Sequence, residues 1–119
     1  GKWKHPPRYT TLKLDGCYYR HGDMGKGGTR LAAVTNAVSE GVSVIQGHHH
    51  TQGGCEYMGN SRGRIFGMQT GTGVNPKSLH FEYGRKFGPG RTILGCGVVV
   101  DGEVAYFEPM PDRLAKELK

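Results

Sequence analysis

Between Cys17 and Gln46 the chain reads as strand, helix, strand, and no other part of the sequence narrows the choice of folds as far. Cys17 to Arg20 is a short strand-like run that ends at His21. From Thr29 to Glu40, Leu31, Val34 and Val38 recur with Ala32, Ala33 and Ala37 at helical spacing, and Gly41 stands where a left-handed cap would end the helix. The spacing predicts one main helix over about 29–39. Val42 to Gln46 is apolar and β-branched, too short for a helix and suited to a buried strand. Parallel strands joined through a helix form a right-handed βαβ crossover in nearly all folds, so both end on the same edge of the sheet.

The rest of the sequence reads mainly as antiparallel hairpins. Asp15-Gly16 sits between Thr10–Leu14 and Cys17–Arg20, and an Asp-Gly pair between strand-like runs is a favoured two-residue turn. Cys55 to Met58 can pair with Ile65 to Met68 around Gly59-Asn-Ser-Arg-Gly63, and Ile93 to Val100 with Glu103 to Glu108 around Asp101-Gly102. One helical turn is expected within 75–83, a basic loop over 84–91, and a short terminal helix over 112–119, after Pro109 and Pro111. The 21 glycines are too many for a helical protein and follow no collagen period, so they serve as turn punctuation.

A chain of 119 residues with 35% hydrophobic content supports one domain over 1–119 with a modest core. No apolar run approaches the roughly 20 residues that span a bilayer, and GKWKHPPRYTT lacks the apolar centre of a signal peptide. The expectation is a cytoplasmic chain without membrane contact. Cys17, Cys55 and Cys96 are odd in number and form no CxxC pair, which argues against a disulfide framework and a thiolate zinc site. A net charge of +6 favours anionic partners such as phosphoesters, nucleotides or nucleic acid.

His48-His49-His50 follows the second strand of the crossover, and His21 follows the first. Residues far apart in sequence therefore meet at the carboxyl edge, where open α/β sheets place their ligands. If the chain stays extended through the triplet, His48 and His50 point one way and His49 the other. Neutral imidazoles from His21, His48 and His50 would make three convergent ligands for a divalent ion, with Gly22 and Gly47 letting backbone come close. The competing reading is a histidine run on a solvated loop, and the predicted convergence favours ligands.

A strand ending in His21-Gly22, the helix, the apolar strand and Gly47-His48-His49-His50 resemble the last two signature blocks of the calcineurin-like metallophosphoesterases, the second of which is Gly-His-x-His. Arg20-His21-Gly22-Asp23, Gly25-Lys-Gly-Gly and Ile93-Leu-Gly-Cys-Gly-Val-Val-Val-Asp-Gly are similar to stretches of the small phosphoesterases that bacteriophages encode. The resemblance runs from about the first hairpin to Met110. It implies a strand-rich layered α/β domain, the C-terminal part of a metallophosphoesterase sandwich. It also implies two divalent metal ions of the Mn, Zn, Fe or Ni type, with His21 and His48 on one, His50 on the other, and His49 in the variable position. The family's Asp-x-His, Gly-Asp-x-x-Asp and Gly-Asn-His-Glu blocks, which carry the remaining ligands, do not occur in these 119 residues. The expectation is a metal-dependent phosphoesterase that is incomplete and inactive as it stands, with an uncovered face for a homodimer or a missing N-terminal half.

Lys26-Gly27-Gly28-Thr29 separates lysine from hydroxyl, so it is not a P-loop, although Lys26 next to glycine-rich backbone can touch a substrate phosphate. Asp23 either orients an imidazole from behind or helps form the turn. Cys55 reads as a small buried residue rather than a ligand. His5 and His80 join no pattern. Arg62, Arg64, Arg85, Lys86 and Arg91 with Tyr57, Tyr83 and Phe87 fit the alternative reading, a non-enzymatic basic module that binds nucleic acid or phosphate.

Overall fold

The computed structural model describes residues 10–22, 29–73, 92–111, 113 and 114. They form a mixed, strand-rich α/β fold. The first hairpin is β1 (Leu12–Leu14) and β2 (Cys17–Arg20), which α1 (Ala32–Glu40) and β3 (Ser43–Gln46) follow. A second hairpin is β4 (Gly53–Asn60) with β5 (Gly63–Thr70), and a third is β6 (Gly95–Val100) with β7 (Val104–Pro109). Five strands make one sheet in the order β1-β2-β3-β5-β4, and β6-β7 makes a separate two-stranded sheet.

β2 and β3 are parallel and joined through α1, as the crossover requires. β5 is also parallel to β3, so β2, β3 and β5 all end on one edge. The Asp15-Gly16 turn has φ of 51° and 76°, the signature of the twist-matched hairpin turn. Cys55 pairs with Met68 and Met58 with Ile65, in the expected register.

Several boundaries differ from expectation. The helix starts at Ala32 rather than Thr29, because the Gln69 side-chain amide donates to the carbonyls of both Thr29 and Arg30 and engages them outside a helical ladder. The loop at 59–63 shrinks to Ser61-Arg62, because Asn60 pairs with Gly63 and its Oδ1 accepts from the Arg62 N–H at 2.9 Å. The loop at 101–103 holds three residues instead of two, with the Glu103 N–H bonded to the Val100 carbonyl and Val100 paired with Val104. Ile93 and Leu94 stand outside β6, and Leu94 forms a parallel bridge to Thr72. The expected elements at 75–91 lie outside the described residues, as does most of the terminal helix.

Side chains alternate between the two faces of the large sheet and build two cores. On one face α1 lies over Val44 and Ile65, with Ala37 between them and Tyr18 alongside. The helix turns its small residues inward and leaves Leu31 and Val38 about half exposed. Gly67 explains the choice: a Cβ there would collide with the backbone of Ala33 and Val34, so helix and strand touch main chain to main chain. Asn36 donates to the buried Gln46 at 3.1 Å, and Arg20 forms a two-pronged pair with Glu40 at 2.9 and 2.5 Å. On the other face Cys17, Ile45, Phe66 and Met68 meet Ala105 of the β6-β7 hairpin. Phe107 of the hairpin lies where a Cβ at Gly53 would be, at 2.7 Å, and 3.3 Å from one at Gly71, so the hairpin docks on glycines of the neighbouring backbone.

Candidate metal centre

The carboxyl edge of β2 and β3 carries the candidate site. His21 directly follows Arg20 of β2, and Gly47-His48 follows Gln46 of β3, whose partner across the ladder is Arg20. The two loops approach as backbone. A Cβ on Gly22, whose φ is +102°, would lie 2.6 Å from the Gly47 carbonyl oxygen, and Gly47 itself lies against the His21 carbonyl and Thr70.

His48 does not continue the strand. Its φ is +71°, and the His49 N–H donates to the Gly47 carbonyl at 2.8 Å, which closes a three-residue γ-turn about His48. With positive φ at the centre this is the rare, strained form of that turn. The extended alternation expected for 48–50 therefore fails. A second turn follows at once, in which the Gln52 N–H bonds the His49 carbonyl at 3.1 Å. Non-glycine residues in such backbone are costly and concentrate at functional sites.

The turn swings the His48 imidazole onto His21. Nδ1 of His48 lies 2.9 Å from Nε2 of His21, with ring centroids 4.7 Å apart and planes at 70°. Residues 27 apart in sequence thus share one proton, an N–H of one ring donating to the lone pair of the other. Both side chains are exposed, so the shared edge is open to a ligand.

The spacing of the pair can be compared with that of two ligands on a divalent ion. Two nitrogens bound at about 2.0–2.1 Å sit about 2.9 Å apart at a right angle and about 3.4 Å apart at a tetrahedral one. The observed 2.9 Å matches the first, and an ion would replace the shared proton once both rings turn their lone pairs toward a common point. Among the described residues no three His, Cys, Asp or Glu side chains gather as a metal group. His50 is not part of the close pair. It is half-buried, its pKa is lowered by burial first and then by His48 and His21, and its carbonyl accepts from the Ile93 N–H at 2.8 Å.

His49 sits at the centre of these contacts although the sequence left it without a role. Its ring meets His48 edge-on at 5.0 Å, and an imidazole N–H donates to the Gly22 carbonyl. Burial first, then the neighbouring His48, hold its pKa below the usual imidazole value, while the Gly22 bond opposes them. Lys26 and Asp23 lie outside the described residues. Cys55 packs against the core beside Phe66 and Met68, and burial followed by the Glu56 charge raises its pKa to about 11, so it is a thiol at neutral pH.

Of the basic and aromatic set, Arg64 lies over the Tyr57 ring at 5.0 Å and donates to the Glu103 carbonyl. The Tyr57 hydroxyl donates to the Ala105 carbonyl at 2.6 Å and accepts from its N–H at 2.8 Å. Both residues join the small sheet to the large one. Arg85, Lys86, Arg91, Tyr83 and Phe87 lie outside the described residues. Among the described residues no helix is long and apolar enough to cross a membrane.

Compared with protein-family models, curated proteins and solved structures, the chain matches none. The class that stands on this structure alone is a mixed α/β fold with a histidine pair on the carboxyl edge of its parallel strands.

Proposed function

We propose that this edge is the histidine side of a metal-dependent phosphoesterase centre of the calcineurin-like type. The observation that carries the reading is the 2.9 Å approach of His21 Nε2 and His48 Nδ1, two exposed imidazoles delivered by the ends of adjacent parallel strands. His21 and His48 hold one divalent ion, and His50 is available to the other. When bound, a metal pair of this kind supplies an activated hydroxide for in-line attack on phosphorus. The protein's own part here is to present two imidazoles from the loops that follow β2 and β3 and, with a net charge of +6, to attract an anionic phosphoester.

The Asp-x-His, Gly-Asp-x-x-Asp and Gly-Asn-His-Glu blocks are missing from the sequence, so a second copy of the chain would not supply them either. The completing carboxylates belong to a different polypeptide segment, and this chain alone binds metal weakly and turns over little or no phosphodiester. Calorimetric titration of metal-free protein with Zn2+ and Mn2+ tests this. His21→Ala and His48→Ala should each weaken binding by at least about tenfold, and binding should release protons. Unchanged binding in both variants, or tight salt-sensitive nucleic-acid binding without metal, would replace this reading with that of a basic binding module.

A further inference from the structure

We infer that His49 is the positioning residue of this site, the side chain that locks the two carboxyl-edge loops together and holds the His48 ring against His21. The inference rests on the proposed metal reading for its consequence, whereas its geometry is independent of any metal. Four restraints converge on His49. Its N–H bonds the Gly47 carbonyl and its carbonyl accepts from Gln52, which fixes its backbone on both sides. Its ring stands edge-on to His48 at 5.0 Å and 76°, and its N–H reaches across to the Gly22 carbonyl.

The Gly22 contact matters because Gly22 belongs to the other loop, next to His21. The γ-turn that aims His48 is intrinsically strained, so something must hold it. A tie from the His49 ring to the Gly22 carbonyl joins the loop after β3 to the loop after β2. With that tie, the His48 ring has two edge-on aromatic neighbours, His21 at 4.7 Å and His49 at 5.0 Å, that favour the rotamer facing His21. Residues that orient a metal-binding imidazole from behind typically change metal affinity by 10–100-fold.

The test uses metal-free protein labelled with 15N in its histidines. In the parent chain the imidazole spectra should show one protonated and one unprotonated nitrogen at the His21–His48 contact, with slowed exchange of the shared proton. His49→Ala should abolish that signature and return both rings to ordinary tautomer mixtures. His49→Phe keeps an aromatic edge but loses the donor to Gly22, and should weaken the signature partly; His49→Gln and His49→Asn, which keep a donor, should restore more of it than His49→Ala. Titration with Co2+ should then show affinity 10–100-fold lower in His49→Ala. An intact His21–His48 signature in folded His49→Ala or His49→Phe overturns the inference. If the parent chain binds no Co2+ but loses the signature on mutation, the metal reading fails and the positioning role stands.

Discussion

The backbone at His48 makes a prediction whose sign, and not only its size, is diagnostic. Comparing His48→Gly with His48→Ala removes the imidazole in both cases, so the lost contact to His21 cancels between them. What remains is the cost of a Cβ at φ of +71° in a γ-turn closed by the 2.8 Å bond from His49 to Gly47. Left-handed backbone costs a non-glycine residue about 1–2 kcal/mol. Glycine relieves that strain but loses about 0.4–1 kcal/mol through its freer unfolded chain. The glycine variant should therefore be more stable than the alanine variant by about 0.5–1 kcal/mol. At an ordinary position the order is reversed, alanine being better by roughly 0.5–1 kcal/mol. Urea unfolding reads the difference: with a slope of about 1–2 kcal/mol per molar, the glycine variant's midpoint should lie roughly 0.3–1 M higher. An alanine variant as stable as the glycine variant would mean that His48 is not held in this turn, and the account of how its ring reaches His21 would fall with it.

Gly67→Ala should destabilise the fold by about 2–4 kcal/mol, because the new Cβ meets the Ala33–Val34 backbone rather than a side chain that can swing away, and the helix must lift from β5. Thermal unfolding checks this, and a loss below about 1 kcal/mol would show that α1 is not seated on β5 by main-chain contact. Stability should also fall in mild acid. His49 and His50 both have folded pKa values below the ordinary 6.5, so the unfolded chain binds more protons than the folded one as pH drops. Their contribution is complete above about pH 6.5 and is lost as pH falls through the depressed values. Melting from pH 7.5 down to 5 should show the decline, and a His49→Gln, His50→Gln double variant should flatten it; a parent-like slope in that variant would assign the acid response to other groups.

The parallel crossover and its consequence were legible in the sequence because they depend on local patterns. Strand-length apolar runs flank a helical spacing of alanines, and Gly41 ends the helix with φ of +73° as its position suggested. The left-handed Asp-Gly turn at 15–16 and the Cys55–Met68 register were legible for the same reason, since turn chemistry and side-chain alternation act over a few residues. The start of α1 was not, because its determinant is Gln69, 40 residues from Thr29 in sequence. Nor was the inward face of the helix, which Gly67 selects by what it lacks. In the triplet, alternation assigned His48 and His50 to one side, and a turn closed by Gly47 and His49 replaced that arrangement. A signal was present in the two glycines that flank the crossover ends, Gly22 and Gly47, but it marked close approach of the loops without showing the turn.

By itself, the sequence determined that His21 and His48 must arrive on one sheet edge, since parallel strands joined through a helix leave no other arrangement. It also determined the basic charge, the abundance of turns and the absence of the carboxylate blocks. Only the tertiary structure decided which nitrogens meet, at what distance, and that His49 meets His48 edge-on. Those features depend on the His48 dihedral and on a carbonyl from the neighbouring loop, and backbone strain of this kind is set by the contacts that hold it rather than by the preferences of the residue that bears it.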